Sequence, residues 1–294
     1  MAKETPLMQQ YREIKEQNKD SILFFRLGDF YEMFFDDAVI ASKELGITLT
    51  SRNKEKDQDV PLAGIPYHSS ASYISKLVQK GYKVAICEQV EDPKLAKGIV
   101  KREVVRVITP GTVLDLDYLD SKSNNYLLGF VVNKYALGVS YLDITTGEFK
   151  TTEIIKENNI GILLNEINKV APTEIVTDES SYELCKKELD NYLKQTGISL
   201  NILRKVKKSN EFLKEYFGVV SLESFGLMGK DYCIETSAMV LEYVLDLQKY
   251  NEIPVNKISY INKDLYVELN LSTQKNLELI ENPKEKSSHG TLLW

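Results

Sequence analysis

Apolar side chains first crowd together at Ser21-Ile-Leu-Phe-Phe-Arg-Leu27, a run whose length and aromatic content predict a buried strand. Gly28 breaks the run, and Asp29 is placed to cap a helix reaching to about Leu45. Along that helix Tyr31, Phe34, Phe35, Ala38, Ser42 and Leu45 recur at spacings of three and four and form one stripe toward a core. Phe30 falls at the edge of the stripe, on the first turn. It is either a lid on the domain edge or a group meant to touch something outside. Asp29 with Glu32 three residues on reads as a capping box, in which Glu32 satisfies the Asp29 N–H.

Around this centre the same reading predicts a helix from about Pro6 to Glu16 capped by Thr5, a short strand at Ile47–Thr50 and a charged, solvated loop at Ser51–Asp59. An extended segment Pro61–Pro66 follows, with Gly64 permitting close backbone approach. Then come a helix at Ser72–Lys80, a buried strand at Lys83–Glu88, a helical turn at Asp92-Pro93 and a strand at Val100–Thr109. Strands alternating with helices predict an α/β domain over residues 1–112, closed by Pro110-Gly111, and residues 113–124 read as a linker. Residues 125–250 open with three strand-like runs, Tyr126–Asn133, Ala136–Asp143 and Glu148–Ile154, joined at turn positions Asn133-Lys134 and Thr146-Gly147. A helix at Ile160–Val170, a strand at Glu174–Thr177 and a helix at Tyr182–Tyr192 follow, with helical stretches near Asn210–Phe217 and Ser237–Leu247. Three antiparallel strands and then alternating helix and strand is the order of an RNase H-like fold. The fold class expected is therefore α/β, a mixed-sheet domain followed by an RNase H-like one. From residue 251 to 294 the character changes again. Leu265–Leu271 is apolar and strand-like or helical, Ser272–Ile280 opens a helix with a polar cap, and the chain closes on Gly290-Thr-Leu-Leu-Trp294 without a stop signal.

Composition narrows this picture. With 294 residues and 43% apolar content the chain can fill two cores. No stretch approaches the ~18 uninterrupted apolar residues of a membrane helix, and the first residues hold no apolar signal region, so the expected compartment is the cytoplasm. Cys87, Cys185 and Cys233 are odd in number and far apart, forming neither a metal pattern nor a disulfide frame; they read as small buried hydrophobes. The net charge of −6 argues at first against nucleic acid. Its distribution softens that: residues 1–112 carry 17 Lys and Arg against 16 Asp and Glu, leaving 20 and 27 of the totals of 37 and 43 for the remainder. Affinity for phosphate follows local basic groups, so the first domain can still read DNA, weakly, while the acidic remainder is better suited to protein contacts.

Four blocks carry a resemblance. Gly28-Asp-Phe-Tyr-Glu-Met-Phe34, Pro61-Leu-Ala-Gly-Ile-Pro-Tyr-His68, Val84-Ala-Ile-Cys-Glu-Gln89 and Val104-Val-Arg-Val-Ile-Thr-Pro-Gly-Thr112, in this order, resemble the mismatch-binding domain of the MutS family of DNA mismatch-repair proteins. The second part resembles the family's connector domain in position and pattern, and the last residues resemble the opening of its helical core (lever) domain, so the resemblance implies an N-terminal fragment. It implies that Phe30 wedges into the minor groove and stacks at the mismatch, an insertion that is cheaper where a step is already poorly stacked. It implies that Glu32 hydrogen-bonds the displaced base, and that Leu62 lies in the groove unless it is ordinary core packing. Tyr67 and His68 belong to the same motif, and His68 is given no catalytic chemistry. Arg52, Lys54 and Lys56 are within reach of phosphates or form only a wet surface. Among Lys94, Lys97, Lys101, Arg102 and Arg106 some can touch phosphates, while Arg106, inside an apolar strand, is expected to neutralise an internal acid. The DNA-binding set is therefore Phe30, Glu32, Leu62, Tyr67, His68 and Arg52.

The resemblance also implies what lies outside this stretch: an ATPase domain with ATP and Mg, homodimerisation of the full-length protein, a MutL-type partner and the sliding clamp, and association with the nucleoid. The fragment itself is expected to be monomeric, to bind no cofactor or metal and to lack enzymatic activity. Gly226-Leu-Met-Gly-Lys-Asp231 is the nearest likeness to a phosphate-binding Gly-x-x-x-x-Gly-Lys-Ser/Thr loop and lacks both the spacing and the hydroxyl. Two further readings stay open: an interaction module whose second domain docks a MutL-type partner, and a structure-selective nuclease built on carboxylates such as Asp143 and Asp178.

Overall fold

The computed structural model describes residues 5–52, 60–91, 98–113, 124–157, 159–249 and 252–263, together with 271–279, 282, 287 and 289–292. Two six-stranded mixed sheets organise the chain. The first is built from β1 (Ser21–Leu27), β2 (Phe30–Phe34), β3 (Thr50–Arg52), β4 (Val60–Pro66), β5 (Lys83–Gln89) and β6 (Arg102–Ile108), in the spatial order β3-β4-β2-β1-β5-β6. Helix α1 (Pro6–Gln17) covers one face, where Tyr11 meets Phe25 and Phe34 edge-on at 5.4 and 4.9 Å. Helices α2 (Phe35–Leu45) and α3 (Ser70–Gln79) cover the other, over Ile22, Phe24, Tyr31, Met33 and Ile65. Asp37, buried at the start of α2, ties the layers together. Its carboxylate accepts from Leu23 N at 3.0 Å, Tyr11 Oη at 3.2 Å and the Lys15 ammonium at 2.8 Å, the pairing a buried charge requires.

The largest departure from the sequence reading lies at its centre. Residues 30–34 are a strand, and the helix begins only at Phe35. Gly28 takes φ +56° at the first corner of a two-residue turn, a conformation glycine adopts without cost, and the chain folds straight back into a hairpin with Leu27 opposite Phe30 and Phe25 opposite Glu32. Phe-Tyr-Glu-Met-Phe is rich in aromatics and alternates between two covered faces, so both faces supply apolar partners and a helical stripe can be traced through a strand. Glu32 is therefore not in a capping box. Similarly β3 starts at Thr50 rather than Ile47, which moves Arg52 from a loop into a strand. Lys54, Lys56, the Asp92-Pro93 turn, Lys94, Lys97, most of the 113–124 linker and nearly all of Leu265–Leu271 lie outside the described residues.

The second sheet follows the sequence reading closely: β7 (Leu127–Val132), β8 (Ala136–Asp143), β9 (Glu148–Ile155), β10 (Glu174–Asp178), β11 (Ser199–Leu203) and β12 (Ser259–Tyr260), ordered β11-β10-β7-β8-β9-β12. β8 runs antiparallel to both neighbours and β10 parallel to β7 and β11, the RNase H-like arrangement. The short strands β11 and β12 carry no signal of their own. Helices α4 (Ile160–Val170) and α5 (Glu179–Thr196) cover one face, and α6 (Ser209–Phe217) and α7 (Asp231–Gln248) the other. A Cβ on Gly129 would meet Val240 at 2.4 Å, and one on Gly138 would meet the Tyr232 carbonyl at 2.5 Å, so α7 lies flush on the sheet because those two positions are glycine. Near the end of the chain Leu271–Asn276 (α8) is helical, and residues 277–279 of the helix expected from Ser272 are not. No helix among the described residues is long and apolar enough to cross a membrane. All three cysteines are free and buried, and burial pushes each thiol up to about 12.

The two sheets are joined through a buried carboxylate. Glu174, on β10, accepts from Thr109 Oγ1 at 2.5 Å and Gly111 N at 2.9 Å at the exit of the first domain, and from Asn201 Nδ2 at 2.6 Å and Tyr243 Oη at 2.7 Å within the second. The end of α7 adds Gln248 Nε2 to Thr112 O at 3.0 Å and Lys249 Nζ to Val104 O at 3.1 Å.

Candidate nucleic-acid interface

β2 alternates between the faces of the first sheet. Tyr31 and Met33 point toward α2 and α3, and Phe30, Glu32 and Phe34 toward the α1 side. α1 covers only part of that side. It seals Phe34 but stops short of Phe30, which is 48% exposed on an interior strand of a sheet. Register extends the uncovered strip sideways. Phe30 lies opposite Pro66, Glu32 opposite Gly64 and Phe34 opposite Leu62 on β4, and Thr50 and Arg52 lie beyond Leu62 and Val60. Directly paired residues share a face, so Phe30, Glu32, Leu62 and Arg52 come together on one surface. Gly64 leaves open space beside Glu32: a Cβ there would touch Glu32 Cγ at 3.7 Å.

Glu32 is the electrostatic centre of the strip. One carboxylate oxygen stands 3.5 Å from an Arg52 guanidinium nitrogen, beyond good hydrogen-bond geometry, and accepts no hydrogen bond from any described residue. Desolvation raises the carboxyl above its ordinary value, and the Arg52 charge only partly opposes this. Arg52 also lies 5.9 Å from the Phe34 ring centre, so strand β3 holds it over the strip. Leu62 is half-buried and packs against the Tyr11 and Phe34 cluster, which makes it a supporting residue with its outer edge on the strip.

Tyr67 and His68 are placed differently. They form one turn of 3₁₀ helix after β4, exposed and edge-to-face at 5.8 Å, at the end of the strip. The Tyr67 ring packs under the Arg26 guanidinium at 3.5 Å. Arg26 is not among the residues the sequence places at the site. It lies on β1 opposite Tyr31, on the face away from Phe30, where Glu88 of β5 completes the group by accepting from the Tyr31 hydroxyl. Parity along the apolar run, read with the Gly-Asp turn, would have placed Arg26 beside Tyr31.

Of the expected basic run, Lys101, Arg102 and Arg106 are among the described residues. Arg102 is buried, donating to Arg26 O at 2.7 Å, Gln10 Oε1 at 3.1 Å and Val100 O at 2.8 Å, and it lies 5.1 Å from the Phe25 ring centre; its work is structural. Lys101 pairs with Glu103 at 2.6 Å, and Arg106 is half-buried on β6 opposite Ile86. The nuclease carboxylates are equally committed. Asp143 accepts from Thr145 N and Oγ1 at 2.9 and 2.6 Å and from Asn125 N at 3.3 Å. Asp178 caps α5 through Ser181 N at 3.1 Å and Ser181 Oγ at 2.7 Å. Among the described residues no group of three or more His, Cys, Asp or Glu side chains could hold a metal ion. A cleft of about 550 Å³ opens between the two domains, lined by Ile74, Val78, Ile108, Pro172 and Ile198 among others, and includes none of the strip residues.

Comparison with known proteins accords with this geometry. Residues 5–117 match the family model "MutS domain I" and residues 125–259 match "MutS domain II". Similar over the whole chain are the proteins named DNA mismatch repair protein MutS from Fusobacterium nucleatum subsp. nucleatum, 54% identical over 295 residues, Acetivibrio thermocellus, 46% over 303, and Lachnoclostridium phytofermentans, 48% over 300. The chain spans 33%, 34% and 32% of their respective lengths.

Proposed function

The chain belongs to the MutS family, and on that premise we propose that it recognises mismatched duplex DNA for repair, through the strip that carries Phe30 and Glu32. The observation that supports this most directly is an exposed aromatic residue at the tip of a hairpin, beside a half-buried carboxylate one of whose oxygens accepts no hydrogen bond from the described residues. In this reading Phe30 enters the minor groove at a step the mismatch has already loosened, and Glu32 meets the displaced base. The Glu174 junction carries the first domain's position into the second, and ATP hydrolysis, Mg, homodimerisation and clamp contacts belong to a chain of the relatives' length.

The strip alone makes a poor DNA anchor. Arg52 is engaged with Glu32, and residues 1–112 are close to neutral, so few phosphates are neutralised. Residues 1–294 alone are expected to show no measurable preference for a G·T or unpaired-T duplex over a matched one at physiological salt, whereas a chain of the relatives' length shows it. Titration of both forms at controlled salt checks this. Tight specific binding by the shorter form would contradict the anchoring argument, and absence of preference in the longer form would remove the proposed function.

The acid excess after residue 112 favours a protein-docking role for the second domain. A MutL-type partner is expected to bind this chain without DNA. A pull-down in which it binds only when DNA is present would assign that contact elsewhere.

A further inference from the structure

The wedge reading needs Phe30 to be held still, because a ring that pivots on its turn gains little from stacking. The hairpin turn has no packing of its own: Gly28, Asp29 and Phe30 are all exposed, and Gly28 has nothing within 4 Å of where a Cβ would stand. Its support comes from behind the sheet. Arg26 Nε donates to Gly28 O at 2.6 Å, its guanidinium stacks on Tyr67 at 3.5 Å and lies 5.6 Å from the Tyr31 ring, and Glu88 balances its charge at 3.8 Å. The Tyr67 amide in turn donates to Asp29 O at 2.9 Å, so both turn carbonyls are gripped, one by Arg26 and the other by the residue on which Arg26 stacks.

We infer that Arg26 is a positioning residue for mismatch discrimination: it locks the Gly28-Asp29 turn to Tyr67 and Glu88 and so fixes the angle at which Phe30 stands. The inference rests on the wedge reading of Phe30. Only a planar guanidinium can stack on one ring, donate sideways to a carbonyl and face a carboxylate at the same time; an ammonium reaches one of these at a time. Tyr67, expected as a DNA contact, is on this view part of the clamp.

The test is a double-mutant cycle in the full-length protein, measuring the ratio of affinities for a G·T and a matched duplex alongside thermal unfolding. Arg26→Met is expected to lower the ratio by about tenfold, the scale of one hydrogen bond to a charged group. In a Phe30→Ala background the same change is expected to leave the ratio where Phe30→Ala put it, since the clamp acts only through the ring. Arg26→Lys is expected not to restore the ratio, and Tyr67→Leu, which keeps Arg26 but removes the stack, is expected to lower it even if Arg26→Met fails to fold. An unchanged ratio in Tyr67→Leu, full rescue by Arg26→Lys, or an equal loss with and without Phe30 would each overturn the inference. If instead Phe30→Ala alone leaves the ratio intact, the wedge reading itself fails, and that result is distinct from the other three.

Discussion

Replacing Phe30 with alanine is expected to abolish the preference for a G·T or unpaired-T duplex in a chain of the relatives' length. Binding to a matched duplex is expected to stay as it was. Phe30 is 48% exposed on an interior strand and belongs to neither apolar cluster formed by the described residues of the first domain, so the substitution should leave the fold intact. Inserting an apolar group between base steps costs a few kcal/mol of lost stacking. At a mismatch part of that cost has already been met by the defect, while a base on an aromatic face returns about 1–3 kcal/mol, or roughly ten- to a hundredfold in affinity. Alanine removes the return but leaves phosphate contacts untouched. The mismatched affinity should therefore fall to the matched value, and the slope of log K against log salt should not move. Phe30→Trp keeps a stacking face and should keep the preference, whereas Phe30→Leu keeps apolar bulk without the π face and should lose most of it. Fluorescence titration with salt held constant measures all of these, and retained preference in Phe30→Ala would sink the site assignment.

The second sheet is the more legible in the sequence, and the reason is local. Tyr126–Asn133, Ala136–Asp143 and Glu148–Ile154 are bounded by turns on both sides, so each period stands alone, whereas the helices run past their apolar stripes, Glu179–Thr196 for the expected Tyr182–Tyr192 and Asp231–Gln248 for the expected Ser237–Leu247. The hairpin at the site is harder. Between Ser21 and Leu45 the turn Gly28-Asp29 interrupts the apolar pattern for two residues, and β2 passes into α2 at Phe35 with no breaker. Phe35 takes φ +54° there, a left-handed conformation unusual for a phenylalanine, against Tyr11 and the Arg12 guanidinium 5.1 Å from its ring centre. Local propensity cannot foresee a junction that tertiary contacts hold in place. Motif identity names Phe30 and Glu32 as neighbours on one surface even though the element is a strand and not a helix, because positions i and i+2 share a face on a strand. Arg52 joins them only through the register of β3 on β4, and Arg102 leaves the phosphate-binding set because its partners come from α1 and β1. Both are long-range facts.

Glu32 supplies the second large effect. Its carboxyl is raised above the ordinary value chiefly by desolvation, and Arg52 pulls it back. Bringing the strip against phosphates adds negative potential and removes more water, and both push the same way. The complex is therefore expected to hold the Glu32 proton more tightly than the free protein, so that binding takes up a proton where the two forms differ. The sign follows from linkage. Mismatch affinity is expected to be full below the free-state pKa, to fall by up to about tenfold per pH unit between the free and bound values, and to level off above the bound value. Stability follows the same sense more weakly, since the folded pKa lies above the unfolded one: whatever protonated Glu32 contributes is present in acid and lost as pH rises through the folded value. Neutral Glu32 can donate to a base acceptor, which the carboxylate cannot. Glu32→Gln, permanently neutral, should bind with an affinity nearly flat across about pH 5 to 8, the range in which folded proteins are generally most stable. It should also bind matched duplex more tightly, because a negative charge near the phosphates is gone, and so discriminate less. Arg52→Gln removes the opposing cation and should move the falling limb to higher pH. Binding isotherms for the wild-type chain and both variants at several pH values decide the matter. A wild-type affinity independent of pH, or a Glu32→Gln variant as pH-dependent as its parent, would show that the carboxylate meets the DNA without its proton.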